Sequence, residues 1–224
     1  MDIKYTNETT FLVLYLTEDV KWDVYIKHVC NILNKNYYVI QSLNVTDINT
    51  LWCTHFANFY SHLRYGILFR GGDSQSANVF KLQKKVVRLI HNVKRKTSCR
   101  ELFRTLNILP APCVYIMETV YYIKLNNKGL KQNLAIHYNK TRHRSNFQTQ
   151  FCRTNIFKKS VNNSGAKLYN KLPNYFKTLR EFKTFQKTTK SFFTTTDLLF
   201  NGWILVLCAG TLKGNLMEKY GIGN

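Results

Sequence analysis

The stretch Ala77-Asn-Val-Phe-Lys-Leu-Gln-Lys-Lys-Val-Val-Arg-Leu-Ile-His-Asn-Val93 decides the fold. Val79, Leu82, Val86, Leu89, Ile90 and Val93 recur at steps of three and four, which places them along one face of an α-helix. Lys81, Lys84, Lys85, Arg88 and, beyond the repeat, Arg95 fall on the other side. The spacing predicts a helix from Ala77 to about Val93, with Ser76 as its cap, one face apolar and the other cationic. A solvated helix face is the plain explanation of such lysines. The missing acids weigh against it, since mixed charges would supply i,i+4 pairs and like charges repel by about 0.2–0.5 kcal/mol per pair.

The same imbalance extends well beyond this helix. Residues 78–193 hold 25 of the 33 Lys and Arg but only Glu101, Glu118 and Glu181 of the 12 acids, whereas residues 1–77 are almost neutral. A field so one-sided calls for a polyanionic partner, and each cation that neutralises a phosphate releases a condensed counterion whatever the base sequence. At 45% hydrophobic and 14% aromatic residues the chain can bury a core, so it is not a disordered basic tail. Three prolines and ten glycines leave little room for an all-β design built on tight turns.

Working back toward Met1, Lys21 to Leu43 repeats the helical spacing through Trp22, Ile26, Val29, Leu33, Tyr37, Ile40 and Leu43. A second long helix, capped by Thr46, is predicted to run to the Gly71-Gly72 stop. Before them, Asp2 to Thr6 and Thr10 to Leu16 read as two strands with a turn at Asn7-Glu8. Forward from Val93, the basic turn Lys94-Arg95-Lys96 precedes Ser98 and Glu101, which have the S-x-x-E spacing of a capping box. Pro110 and Pro112 close the short unit that this box begins, and Pro112 suits the first turn of another helix with Tyr115, Ile116, Val120 and Ile123 on its apolar face, which ends between Asn126 and Gly129. Periodicity then fails between His137 and Phe157, where rings alternate with cations: Tyr138, Lys140, Arg142, Arg144, Phe147, Phe151, Arg153 and Phe157. Single-stranded nucleic acid suits this interleaving, because bases stack on rings while guanidinium groups hold phosphates. The alternative is that the phenylalanines anchor a long loop onto the helical core. Ser164 to Leu172, ended by Pro173, and Arg180 to Phe193 complete the helical units.

Catalytic and metal constellations are poor. The carboxylates are dispersed, and His137, His143 and Cys152 with Cys99 or Cys113 match no compact zinc spacing. His28, His55, His62 and His91 read as structural or surface residues on helices. The six cysteines form no C-x-x-C pair and read as reduced intracellular thiols, which points to cytoplasm or nucleus. The apolar run from Leu198 to Gly210 is too short for a bilayer, which takes about 20 residues, so no membrane role is expected.

Six stretches carry a resemblance: Thr10-Phe-Leu-Val-Leu-Tyr-Leu-Thr-Glu-Asp-Val-Lys-Trp22, His62-Leu-Arg-Tyr-Gly-Ile-Leu-Phe69, Lys81-Leu-Gln-Lys-Lys-Val-Val-Arg-Leu-Ile90, Ser98-Cys-Arg-Glu-Leu-Phe103, His137-Tyr-Asn-Lys-Thr-Arg142 and Gly165-Ala-Lys-Leu-Tyr-Asn-Lys-Leu-Pro-Asn174. In this order they resemble the C-terminal third of reverse transcriptases from non-LTR retrotransposons of the Jockey-like kind. The resemblance implies an end-of-palm β-hairpin at residues 1–20, a helical thumb-like region at 21–110 and a basic C-terminal extension at 111–200, with 201–224 unmatched. It also implies that the complete enzyme would use divalent metal, Mg, held by palm aspartates that have no counterpart here. The expected molecule is therefore a truncated fragment, not an enzyme as it stands and needing no cofactor of its own. Val13 replaces the family's usual Gly, the usual His after the Trp is replaced near Tyr25, and Arg70 replaces an aromatic residue; these departures look like drift in a decaying copy.

The expected fold is mainly α with a small N-terminal β-hairpin, a helical thumb-like bundle followed by an irregular basic C-terminal extension. The expected partner is RNA, an RNA–DNA hybrid or DNA backbone. Lys81, Lys84, Lys85, Arg88, Lys94, Arg95 and Lys96 are the expected phosphate contacts, with Arg142, Arg144 and Arg153 behind them. Two other readings stay open: an independent basic helical module with an acidic protein partner, and a remnant without function.

Overall fold

A computed structural model describes residues 6–43, 47–136 and 144–195. The chain is mainly α-helical with one small antiparallel hairpin near its N-terminus, and its described residues form two compact units that divide after Leu106.

In the first unit, β1 (Glu8–Phe11) pairs with β2 (Leu14–Thr17) in a register that sets Glu8 opposite Thr17 and Phe11 opposite Leu14. The turn therefore falls at Leu12-Val13 and not at Asn7-Glu8, and the earlier expected strand, Asp2 to Thr6, lies almost wholly outside the described residues. Both turn residues have left-handed backbone, with φ of 48° and 64°. A tight hairpin loop with positive φ at both central positions normally takes Asn-Gly, so leucine and the β-branched valine hide it from a sequence reading. The Tyr65 hydroxyl donates to the Leu12 carbonyl and ties this strained turn to the helices.

Helix α1 (Asp23–Ser42) buries Ile26, Val29, Leu33 and Ile40 of the face that its spacing announces, together with Tyr25, which that spacing leaves out, while Tyr37 is half-buried. Asp47, not Thr46, caps α2 (Ile48–Thr54) by accepting a bond from the Asn49 amide at 3.2 Å, and residues 44–46 lie outside the described ones. The helix widens into a π-helical segment, His55–Tyr60, resumes as α3 (Ser61–Arg64) and stops there. It falls short of Gly71 because Gly66 turns left-handed, at φ 64°. A Cβ at that position would lie 2.7 Å from the Tyr25 hydroxyl. One turn, α4 (Ile67–Arg70), leads to α5 (Ser76–Ile90), which packs on α1 and buries Val79, Val86 and Val87. Ser76 does not cap α5; its hydroxyl donates to the Arg70 carbonyl at 2.6 Å. The reciprocal capping box at α6 (Arg100–Thr105) does not form either: Glu101 pairs with Arg104 at 3.3 Å, and the Ser98 hydroxyl accepts the Arg100 amide at 3.4 Å.

In the second unit α7 (Ala111–Leu125), opened by Pro112, is apolar nearly all round, with Val114, Ile116, Val120 and Ile123 wholly buried. After two short 3₁₀ turns, α8 (Asn155–Lys159) and α9 (Val161–Lys171) begin at Thr154 and Ser160, whose hydroxyls accept amides from Phe157 and Asn163. Then α10 (Asn174–Thr178) and α11 (Phe182–Thr195) follow, and α11 places Phe185 beside α7, where Tyr121 donates to the Gln186 carbonyl at 3.0 Å. Residues 137–143 and the run from Leu198 to Gly210 lie outside the described residues. Among the described residues no helix is long and apolar enough to cross a membrane.

Three measurements check this packing. Val13→Gly is expected to raise stability by about 0.5–1 kcal/mol in chemical denaturation, since relief of a left-handed β-branched residue outweighs glycine's entropy cost. Gly165→Ala should do the opposite: its Cβ would sit 2.6 Å from Ile123 Cγ1 and 3.1 Å from Thr119 Cγ2, both on wholly buried residues. Alanine gains about 1 kcal/mol of helix propensity but overpacking costs about 1–3, so a net loss is expected. His55 is wholly buried, neither ring nitrogen has a hydrogen-bond partner, and burial lowers its pKa from 6.5 to about 4. The unfolded chain binds that proton more tightly, so stability is whole above pH 6.5, declines as pH falls through the window and levels off below it. A pH series of melts should show His55→Phe removing that part of the acid decline.

Candidate nucleic-acid interface

Lys81, Lys84, Lys85 and Arg88 follow each other at steps of three and four along α5, so they form one stripe on the side away from Val79, Val86 and Val87. Lys81 and Lys85 are exposed, whereas Lys84 and Arg88 are half-buried. The difference comes from what their long stems lie on. Lys84 Nζ sits 4.5 Å from the centre of the Phe80 ring, a ring that itself stacks on Phe103. Burial lowers the Lys84 pKa, and the neighbouring Arg88 and Lys81 charges add to the effect, while Cys99 opposes it. The thiol of Cys99 is pushed up by the same burial, so it is a packed side chain and not an activated nucleophile.

Arg88 shapes the rest of the site. Its Nε donates to the Thr97 carbonyl at 2.8 Å, which fastens the loop carrying Lys94, Arg95 and Lys96 to the last turn of α5. The loop is itself closed by the Thr97 amide on the Lys94 carbonyl at 3.0 Å. Arg95 is thereby brought back to Lys85 and Arg88, and the three line a cleft of about 290 Å³ with Tyr37, Leu89 and Val93. No carboxylate is among those lining residues. The cleft's chemistry is three cations around one ring and two aliphatic side chains, which suits a phosphate with an apolar or planar group attached.

The remaining expected contacts divide. Lys94 and Lys96 are exposed on the loop but do not line the cleft. Arg144 and Arg153 are exposed in the second unit, and Arg142 lies outside the described residues. The phenylalanines of the irregular segment split as well. Phe147 is buried against Tyr169, with ring centres 5.1 Å apart, so it anchors the loop; Phe151 is 92% exposed and Phe157 is 47% exposed. Tyr37 was hidden from the sequence reading because its helical spacing marks it as core on α1, a helix remote in sequence from Arg88.

Several cations of the basic block do structural work instead. Lys124 Nζ donates to the Leu179 carbonyl at 2.6 Å, and Lys177 Nζ donates to Asn146 Oδ1 at 2.8 Å and the Asn170 carbonyl at 2.9 Å. Burial lowers the pKa of both amines. Among the described residues no group of three or more His, Cys, Asp or Glu comes together to hold a metal ion. Compared with protein-family models, curated proteins and solved structures, the chain matches none.

If Arg88 positions the loop, Arg88→Lys should preserve charge yet loosen Lys94 to Lys96, because an ammonium lacks the Nε–H that meets Thr97. Hydrogen exchange is expected to quicken at the amides of residues 94–97, and unchanged rates there would refute this role.

Proposed function

We propose that this chain binds nucleic acid, as RNA, an RNA–DNA hybrid or DNA backbone, through the basic back of α5 and the turn at Lys94 to Lys96. The observation that carries this reading is the convergence of Lys85, Arg88 and Arg95 on a cleft that, among the described residues, no carboxylate lines. Three cations held together without acids repel one another, and a polyphosphate relieves that repulsion while releasing its own counterions. Binding of this kind is electrostatic and largely independent of base sequence. The six ordered stretches that resemble non-LTR retrotransposon reverse transcriptases support the more particular reading, a thumb and C-terminal extension of such a polymerase that holds a template without polymerising. Polymerase chemistry would need metal-binding aspartates, and the resemblance places none on this sequence.

The test is a salt titration with a short duplex or hybrid. Affinity is expected to fall steeply between about 50 and 200 mM salt. Lys81→Gln, Lys85→Gln and Arg95→Gln together remove three exposed cations and should reduce the slope of log K against log salt by about 2–3, at about 0.9 per phosphate contact. A shallow slope in the wild-type chain, or a triple variant with the wild-type slope, would sink the phosphate-contact reading. Tight salt-sensitive binding to an acidic polypeptide with none to nucleic acid would favour the protein-partner alternative.

A further inference from the structure

The second unit contains a cleft of different character. About 180 Å³ in volume, it is lined by Gln148, Gln150, Phe157, Ser160, Asn162 and Asn163 with a few small and aliphatic residues, and, among the described residues, by no Lys, Arg, Asp or Glu. Its neutrality is notable in a segment as basic as this one. Arg153, Lys158 and Lys159, close in sequence to Phe157, are all exposed yet none of them lines the cleft.

The walls are held by the fold. One wall is the irregular segment, where the Gln148 amide donates to the Lys131 carbonyl at 2.8 Å and Gln132 bridges Phe147. Asn170 clamps Phe147 from both sides, accepting its amide at 2.8 Å and donating to its carbonyl at 2.7 Å. The other wall is the first turn of α9, whose cap Ser160 accepts the Asn163 amide at 3.4 Å. Asn163 is only 6% exposed. Its Nδ2 donates to the Lys158 carbonyl at 3.2 Å, which fixes which end of the amide is oxygen and leaves Oδ1 without a hydrogen-bond partner. Buried acceptors are nearly always satisfied, and this one has under 1 Å² of accessible surface, so a small turn of the Asn163 side chain toward the cleft it lines is needed for a ligand donor to reach it.

We infer that this cleft seats one unpaired nucleobase of a single-stranded nucleic acid, stacked on Phe157 and read at its edge by the amides of Gln148, Gln150, Asn162 and Asn163. The inference rests on the reading of the chain as a nucleic-acid binder but uses other residues in the other unit. Amide side chains match the paired donors and acceptors of a base edge, and bases with an exocyclic amino group can satisfy Asn163 Oδ1. A neutral cleft suits the base and excludes the phosphate, which falls instead to the cations of α8 and its approach, Arg153, Lys158 and Lys159. The volume takes a single base and not a base pair, so a strand must offer it unpaired.

The full chain, an oligo(dA) strand of about 12 nucleotides and an abasic strand of the same length and charge separate the two terms, with fluorescence anisotropy as the readout. The wild-type chain is expected to prefer the base-bearing strand by about tenfold, the scale of one stacked base. Phe157→Ala and Gln150→Ala, both at exposed positions, should each lose most of that preference and bind the abasic strand as the wild type does. Equal wild-type affinity for the two strands with a steep salt dependence overturns the base cleft and leaves the phosphate reading standing. Variants that weaken both strands equally overturn it too, and binding to neither strand overturns both readings.

Discussion

A segment with 25 bases and three acids can pair only a few of its cations with carboxylates, and much of its local structure reflects how that shortage is met. Where a cation must enter the interior, backbone carbonyls take the place of acids. Lys124 meets Leu179, Lys177 meets Asn170, and Arg88 meets Thr97 in this way. Even in the nearly neutral first third, Arg70 is 1% exposed and donates to the Leu63 carbonyl, with its Nε unpartnered and its pKa lowered by burial. A carbonyl offers a dipole and not a full charge, so such contacts fasten loops at modest gain and leave the net field undiminished. The cations that remain go to faces whose opposite side is apolar, above all on α5.

That division explains what the sequence discloses. Periodic elements were legible because one face of each is core: α1, α5 and α7 lie within a few residues of where apolar spacing sets them. Local chemistry misled where tertiary contacts compete for the same groups. Glu101 is taken by Arg104 and not by a helix cap, and the Ser76 hydroxyl is taken by the Arg70 carbonyl. The hairpin turn was illegible because Leu12 and Val13 accept a backbone that other residues adopt more readily, and the Tyr65 contact helps to hold it. The α5 stripe was legible residue by residue. Its cleft was not, since it depends on a backbone bond that folds Arg95 back and on a tyrosine from another helix.

On the proposed reading the two clefts would answer different parts of one kind of ligand. The first, lined by Lys85, Arg88 and Arg95, would be tolerant, because phosphates repeat along every strand. The second, lined by amides and a ring, would be selective, because such groups address a base and its edge. The interleaving of rings and arginines between His137 and Phe157 names Phe157 as a ring on which a base could stack, but not the amides that line the cleft beside it. That pattern proved to mix an anchor, Phe147, with an exposed ring, Phe157, and burial alone separates the two.

Salt should act on this chain in opposite directions depending on whether a polyanion is present. On α5 the pairs 81–84, 81–85, 84–88 and 85–88 are all like-charged neighbours, together opposing the free helix by about 1–2 kcal/mol at low ionic strength. Added salt screens that repulsion, so the free chain gains stability. The same salt weakens phosphate contacts, so the bound chain loses the stabilisation that binding confers on the folded state. A melt recorded against salt therefore rises without nucleic acid and falls with it, and the two curves converge where counterions have taken over the ligand's role. This opposition belongs to a surface whose repulsion is left for a ligand to relieve, and a face of mixed charge would show neither trend strongly.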